Sequence, residues 1–159
     1  MTGTPKLFTG EALTLLGRRE RYALDDAHGH IPVQWAWFGP RIPEISARQG
    51  SDTFGLCIDS DDTAMTYFCA VRVASGTDAP ADLVALEVPA LRYAGFSHEG
   101  PVADLSATIV AALGEWLPAA GLSVFDGPDV PDLVEHYGSG FDPQTGLGGL
   151  DIWIPIGRA

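Results

Sequence analysis

Residues 102–117 read Val-Ala-Asp-Leu-Ser-Ala-Thr-Ile-Val-Ala-Ala-Leu-Gly-Glu-Trp-Leu. Leu105, Ile109, Leu113 and Trp116 recur at helical spacing, so one face is apolar, and Pro118 with Gly121 closes the element. Ahead of this helix lies an extended stretch, 83–98, interrupted by Pro89, which implies a bulge or an edge position. Behind it, after a Pro/Asp-rich loop at 126–132, two short strands at 133–137 and 150–156 flank a glycine-rich connection. The order is strand, helix, strand, strand.

The first half of the chain reads the same way. Residues 12–24 suit a strand, residues 25–29 a turn, and residues 31–38 a short helix with Pro32 near its start and Pro40 and Pro43 beyond its end. Trp35 and Phe38, three apart, share a helix face, while Trp37 points elsewhere. Two strands, 53–59 and 65–74, form a hairpin across the acidic turn Asp59-Ser60-Asp61-Asp62. The expected fold is therefore α+β, a duplicated βαββ arrangement of two pseudo-symmetric halves with helices on an antiparallel sheet. One domain should cover 11–157, with halves at about 11–75 and 82–157. Residues 1–10 are expected to be an N-terminal extension. Neither half could cover its own helix and sheet alone.

The chain has 159 residues, 46% hydrophobic and 19% charged, too apolar for disorder. Its net charge of −12 is uneven: residues 1–50 hold six basic and five acidic residues, and residues 51–159 hold three basic and sixteen acidic. Such a surface repels phosphate backbones, so no direct nucleic-acid binding is expected. No apolar run approaches the ~20 residues of a membrane span and no hydrophobic signal core opens the chain, so a cytoplasmic location is expected. Cys57 and Cys69 form neither a disulfide framework nor a zinc pattern. No phosphate loop, nucleophile elbow, metalloprotease helix or dinucleotide fingerprint occurs, and no cofactor or metal is expected.

What remains is a carboxylate and a set of rings. In Leu133-Val134-Glu135-His136-Tyr137, alternation puts Leu133, Glu135 and Tyr137 on one face and His136 on the other. Glu135 is then either solvated at a sheet edge or held in a pocket. In a pocket it could attract a cation, helped by aromatic faces, or act as a general base or acid once desolvation raises its pKa. Tyr67, Tyr93, Tyr137 and Trp153 fall on strands, and Trp35, Trp37 and Phe38 on the first helix; each alone is most simply core, but their convergence on a carboxylate would make a small-molecule site. His28 and His30 read as a surface pair, His98 as a turn or capping residue, and Trp116 as core.

The run Val88-Pro89-Ala90-Leu91-Arg92-Tyr93-Ala94-Gly95-Phe96-Ser97-His98-Glu99-Gly100 resembles the signature of the GyrI-like small-molecule-binding domains, which occur alone and as effector-binding domains of AraC-type and MerR-type multidrug-responsive regulators. The helix exit Glu115-Trp116-Leu117-Pro118, the segment Glu135-His136-Tyr137 with Phe141, and the closing Asp151-Ile152-Trp153-Ile154-Pro155-Ile156 are similar as well. In the first half, Ile31-Pro32 with Trp35 and Phe38, and Tyr67, resemble the family more weakly. The resemblance implies a ligand pocket between the halves, with Glu135 among Tyr67, Tyr93, Trp153, Trp35, Phe38 and Tyr137. About ten residues precede the domain, so no helix-turn-helix is expected here. The leading expectation is a stand-alone module that binds a small hydrophobic, aromatic or cationic compound. Two alternatives stay open. One is a hydrolase opening cyclopropane-bearing alkylating natural products, with Glu135 as general base and Tyr93 or Tyr67 orienting the substrate. The other is a gyrase-inhibitor-like or sensor role through a protein partner; a homodimer stays open as well.

Overall fold

The structure, a computed structural model, describes residues 3–159. Eight strands, β1 (Lys6–Gly10), β2 (Leu13–Ala23), β3 (Arg48–Ile58), β4 (Ala64–Val73), β5 (Val84–Val88), β6 (Leu91–Ser97), β7 (Leu133–Tyr137) and β8 (Leu150–Arg158), form one sheet in the order β1-β6-β8-β7-β3-β4-β2-β5. Every pairing is antiparallel. Counting each strand on by four (β1 to β5, β2 to β6 and so on) turns this order into its own reverse.

Two very short connections force the sheet to curl. Only Glu11 and Ala12 separate β1, at one edge, from β2, six positions away, and only Pro89 and Ala90 separate β5 from β6, also six positions apart. In a flat sheet six spacings of ~4.8 Å would put such strands roughly 29 Å apart. Two residues bridge at most about 11 Å. The ends therefore meet around one face, where Leu15 and Val88 from one end share a cluster with Leu91 and Tyr93 from the other.

The helices cover the opposite face. Helix α1 (Leu24–Phe38) packs Ala27 and Phe38 against β2 and β4, and α2 (Leu105–Ala111) with its continuation buries Leu105, Ala112 and Leu117 against β6, β7 and β8 residues. No helical residue joins the cluster on the first face. The alternation of each strand thus divides two apolar layers, one inside the curl and one beneath the helices.

Four sequence expectations need correction. Residues 25–29 are not a turn: α1 begins at Leu24, with Asp25 and Asp26 favourably placed in its first turn, so Pro32 lies mid-helix. Stacking of His30 on Tyr22 at 5.2 Å ties this added turn to the sheet. The 1–10 extension is a strand from Lys6 on, paired with β6; residues 1–2 lie outside the described residues. The stretch 83–98 is two strands, because Pro89 marks the crossing between distant sheet positions. The stripe through Leu113 is broken by a π turn at Ala112–Trp116: the extra residue in that turn shifts the phase, so Leu113 is 38% exposed while Ala112 and Leu117 are buried.

Candidate functional site

Strand β7 lies at the centre of the sheet beside β3, and its alternation directs Leu133, Glu135 and Tyr137 to the helix-bearing face. Glu135 is 5% exposed. Its Oε1 accepts hydrogen bonds from Tyr67 Oη at 2.7 Å and from Tyr137 Oη at 2.7 Å. Trp35, from α1, donates its Nε1–H to Tyr67 Oη at 2.9 Å and packs edge-on to Tyr137 with ring centres 5.4 Å apart. Phe38 supports Trp35 from behind, centres 6.2 Å apart. Trp35 touches the clusters beneath both helices, so it plugs the seam between them.

This convergence needs Gly55, which pairs with Glu135 across β3–β7. A Cβ there would overlap the Tyr67 hydroxyl and stand 2.6 Å from Glu135 Oε1. The empty space over Gly55 is the path by which the tyrosine reaches the carboxylate. A glycine in a strand interior often signals such close approach, and Gly55 within 53–59 carried that signal.

Burial pushes the Glu135 carboxyl above the usual range, while the bonds from Tyr67 and Tyr137 pull it back. Burial, with Glu135 alongside, also raises both phenols. No cation pairs with Glu135 among the described residues. Two phenols hold an acid that pairs with no cation among the described residues. No group of three or more potential metal ligands occurs among the described residues.

The structure does not bring all the expected residues together. Tyr93 and Trp153 lie on the other face, inside the curl, with centres 5.5 Å apart and Phe8 against both. Glu135 pairs with Ile152, and Trp153 with Val134, so Trp153 has the opposite parity; Tyr93 pairs with Pro155, two residues on from Trp153, and so shares its face. A role for Tyr93 beside Glu135 is thereby corrected: the hydroxyls that reach the carboxylate are those of Tyr67 and Tyr137. His136 shares the Tyr93 face, as alternation required, stacked on Trp153 at 4.6 Å. His98 bridges Thr108 Oγ1 and the Pro101 carbonyl at 2.7 and 2.8 Å, the corner role expected of it. Trp37 is surface-placed under the guanidinium of Arg18, 4.1 Å away. A cavity of about 730 Å³ lies on the Tyr93 face and does not include Glu135.

A curled eight-stranded antiparallel sheet with helices on one face defines an α+β fold. The chain belongs to the GyrI-like small molecule binding domain family, which matches residues 4–156. It is 27% identical over 123 residues, 77% of this chain, to the transcriptional regulator BrlR of Pseudomonas aeruginosa, and the match spans 44% of that protein's length. Among solved structures it is similar to SAV2435 bound to tetraphenylphosphonium, at 22% identity with a TM-score of 0.73, covering 96% of this chain and 93% of that one. The EcmrR C-terminal domain shares the fold at 16% identity and a TM-score of 0.65, with 98% of each chain covered.

Proposed function

We propose that the protein binds hydrophobic organic cations at Glu135, in a pocket that forms between the helices when Trp35 swings away. The observation that carries this reading is the buried carboxylate held by two phenols without a cation of its own. Removing such a charge from water costs several kcal/mol, and the tyrosine bonds repay part of it, at about 1.5–3 kcal/mol each. A cationic ligand would supply the missing counter-charge, while Trp35, Tyr67, Tyr137 and Phe38 would offer ring faces worth ~0.5–2 kcal/mol each to a cation. That SAV2435 was solved with tetraphenylphosphonium supports the choice of ligand class.

The pairing of strands beneath this site supports the further reading of two duplicated βαββ halves, about 11–75 and 82–157, that meet at β3 and β7. Glu135 and Gly55 then lie on the two strands that join the halves.

Titration with tetraphenylphosphonium tests the proposal. Glu135→Gln should weaken its binding about tenfold or more and leave the affinity for a neutral compound of similar shape within about twofold. Equal losses for both would remove the carboxylate from the site. Binding should also strengthen as pH rises through the raised titration range of Glu135, because only the ionised form attracts a cation.

A further inference from the structure

Opposite the carboxylate, on the face inside the curl, the backbone makes room for something else. Between the pairs Arg48–Val73 and Thr53–Val71 the residues 49–52 of β3 face a single residue, Arg72, of β4. The surplus loops out, with Gly50 in the left-handed region at φ 77°. Bulges of this kind recur beside functional sites because they re-aim side chains and end pairing locally. Here all four looped-out residues and Arg72 line the cavity of about 730 Å³.

The walls of that cavity are aromatic and its charges are already spent on one another. Phe8, Phe54, Tyr93 and Trp153 line it, with Trp153 edge-on to Phe8 at 5.2 Å and to Phe54 at 6.0 Å. Asp52, from the bulge, accepts from His136 Nε2 at 2.7 Å, and Arg72 donates to Glu11 at 2.8 Å. His136 backs the Trp153 ring and holds it in place. Among the described residues two side-chain polar atoms on cavity-lining rings lack a partner, and the first is Tyr93 Oη, on a residue 1% exposed. Buried hydroxyls are rarely left so. The other unpaired buried atom, His136 Nδ1, faces Asp151 Oδ2 at 3.8 Å.

We propose that this cavity is a second small-molecule site, distinct from Glu135, for uncharged planar aromatic compounds carrying a carbonyl-type acceptor. Flat rings stack on Trp153 and its neighbours. With Arg72 bonded to Glu11 and Asp52 bonded to His136, every charged side chain in the lining already has a partner. The Tyr93 hydroxyl donates to the ligand's acceptor. The two faces of the sheet would then select opposite chemistries, a cation under the helices and a neutral ring inside the curl.

Coumarin, flavone and acridone, titrated onto the full chain by calorimetry and ligand-observed NMR, test the assignment. At least one should bind saturably with one-to-one stoichiometry. Ser51→Trp, at an exposed position on the cavity rim, should fill the space without touching the core and weaken binding about tenfold or more. Tyr93→Phe should weaken it about fivefold, the worth of one neutral hydrogen bond, while leaving naphthalene, which has no acceptor, unchanged. Glu135→Gln should have no effect on any of them, so the fate of this site and that of the cation site are read separately. Failure of all three compounds to bind overturns the proposal. So does full binding by Ser51→Trp, or a loss in Glu135→Gln equal to that in Ser51→Trp.

Discussion

Glu135 and His136 are adjacent on β7, yet they belong to two different chemistries. On the helix-bearing face, an acid without a cation is satisfied by two phenols and closed over by Trp35. On the face inside the curl, an imidazole is paired with Asp52, a guanidinium is paired with Glu11, and a phenol is left without a partner. The first face holds an acid with no cationic partner in a closed space; the second leaves open space beside polar groups already bonded to one another. Electrostatic need and physical room, which a ligand site usually combines, are here separated by the thickness of one sheet. On the proposed readings the helix-bearing face would have to open for a ligand, whereas the other face already has a cavity, with Tyr93 Oη buried in its wall.

The largest effect should come from filling the gap over Gly55. Gly55→Ala places a methyl group into the Tyr67 hydroxyl and beside Glu135 Oε1, so it should cost about 3 kcal/mol in denaturant unfolding and abolish cation binding while the fold of the distant β6–β8 region persists. A wild-type melting curve would show that the two groups do not converge there.

Next comes Tyr67→Phe, which removes one bond to the carboxylate and strands the Trp35 Nε1–H. It should cost about 2 kcal/mol. The matching change on the other face, Tyr93→Phe, removes a hydroxyl with no partner and should shift stability by less than about 0.5 kcal/mol. If the two substitutions cost the same, the contrast between the faces fails. The Tyr93 phenol itself should titrate late, near pH 12, because burial opposes its ionisation.

Between these two in size lies Glu135→Gln. Glutamine keeps an acceptor for both phenols and discards the desolvated charge, so the variant should be more stable than wild type at pH 7.5, by on the order of 1 kcal/mol. The sign with pH follows from the raised carboxyl. Its folded-state pKa lies above the ordinary 4.5, so burial of the protonated form carries no charge penalty below that value. The penalty appears as pH rises through the folded-state pKa. The variant's advantage should therefore shrink towards pH 4. Thermal melts of the two proteins across pH 4–8 would show it, and an advantage independent of pH would mean that the Glu135 carboxyl titrates alike in the folded and unfolded chains.

Much of this arrangement was legible residue by residue. The helix after 102, the hairpin across Asp59–Asp62, the opposite directions of Glu135 and His136, and the shared face of Trp35 and Phe38 all follow from periods of 3.6 and 2, which depend only on the local chain. The acidic surface and the aromatic inventory follow from composition. What strand alternation cannot supply is its phase relative to the next strand. The family resemblance places Tyr93 and Trp153 beside Glu135, but their faces depend on the register of β6 on β8 and of β8 on β7, where a one-residue slip reverses every side chain. The bulge at 49–52 and the curl that joins distant strands through two-residue links are likewise properties of pairing between segments far apart in the chain. Local geometry therefore settled which residues stand back to back; long-range hydrogen-bond register, set by how the whole apolar layer closes, settled which of them stand face to face.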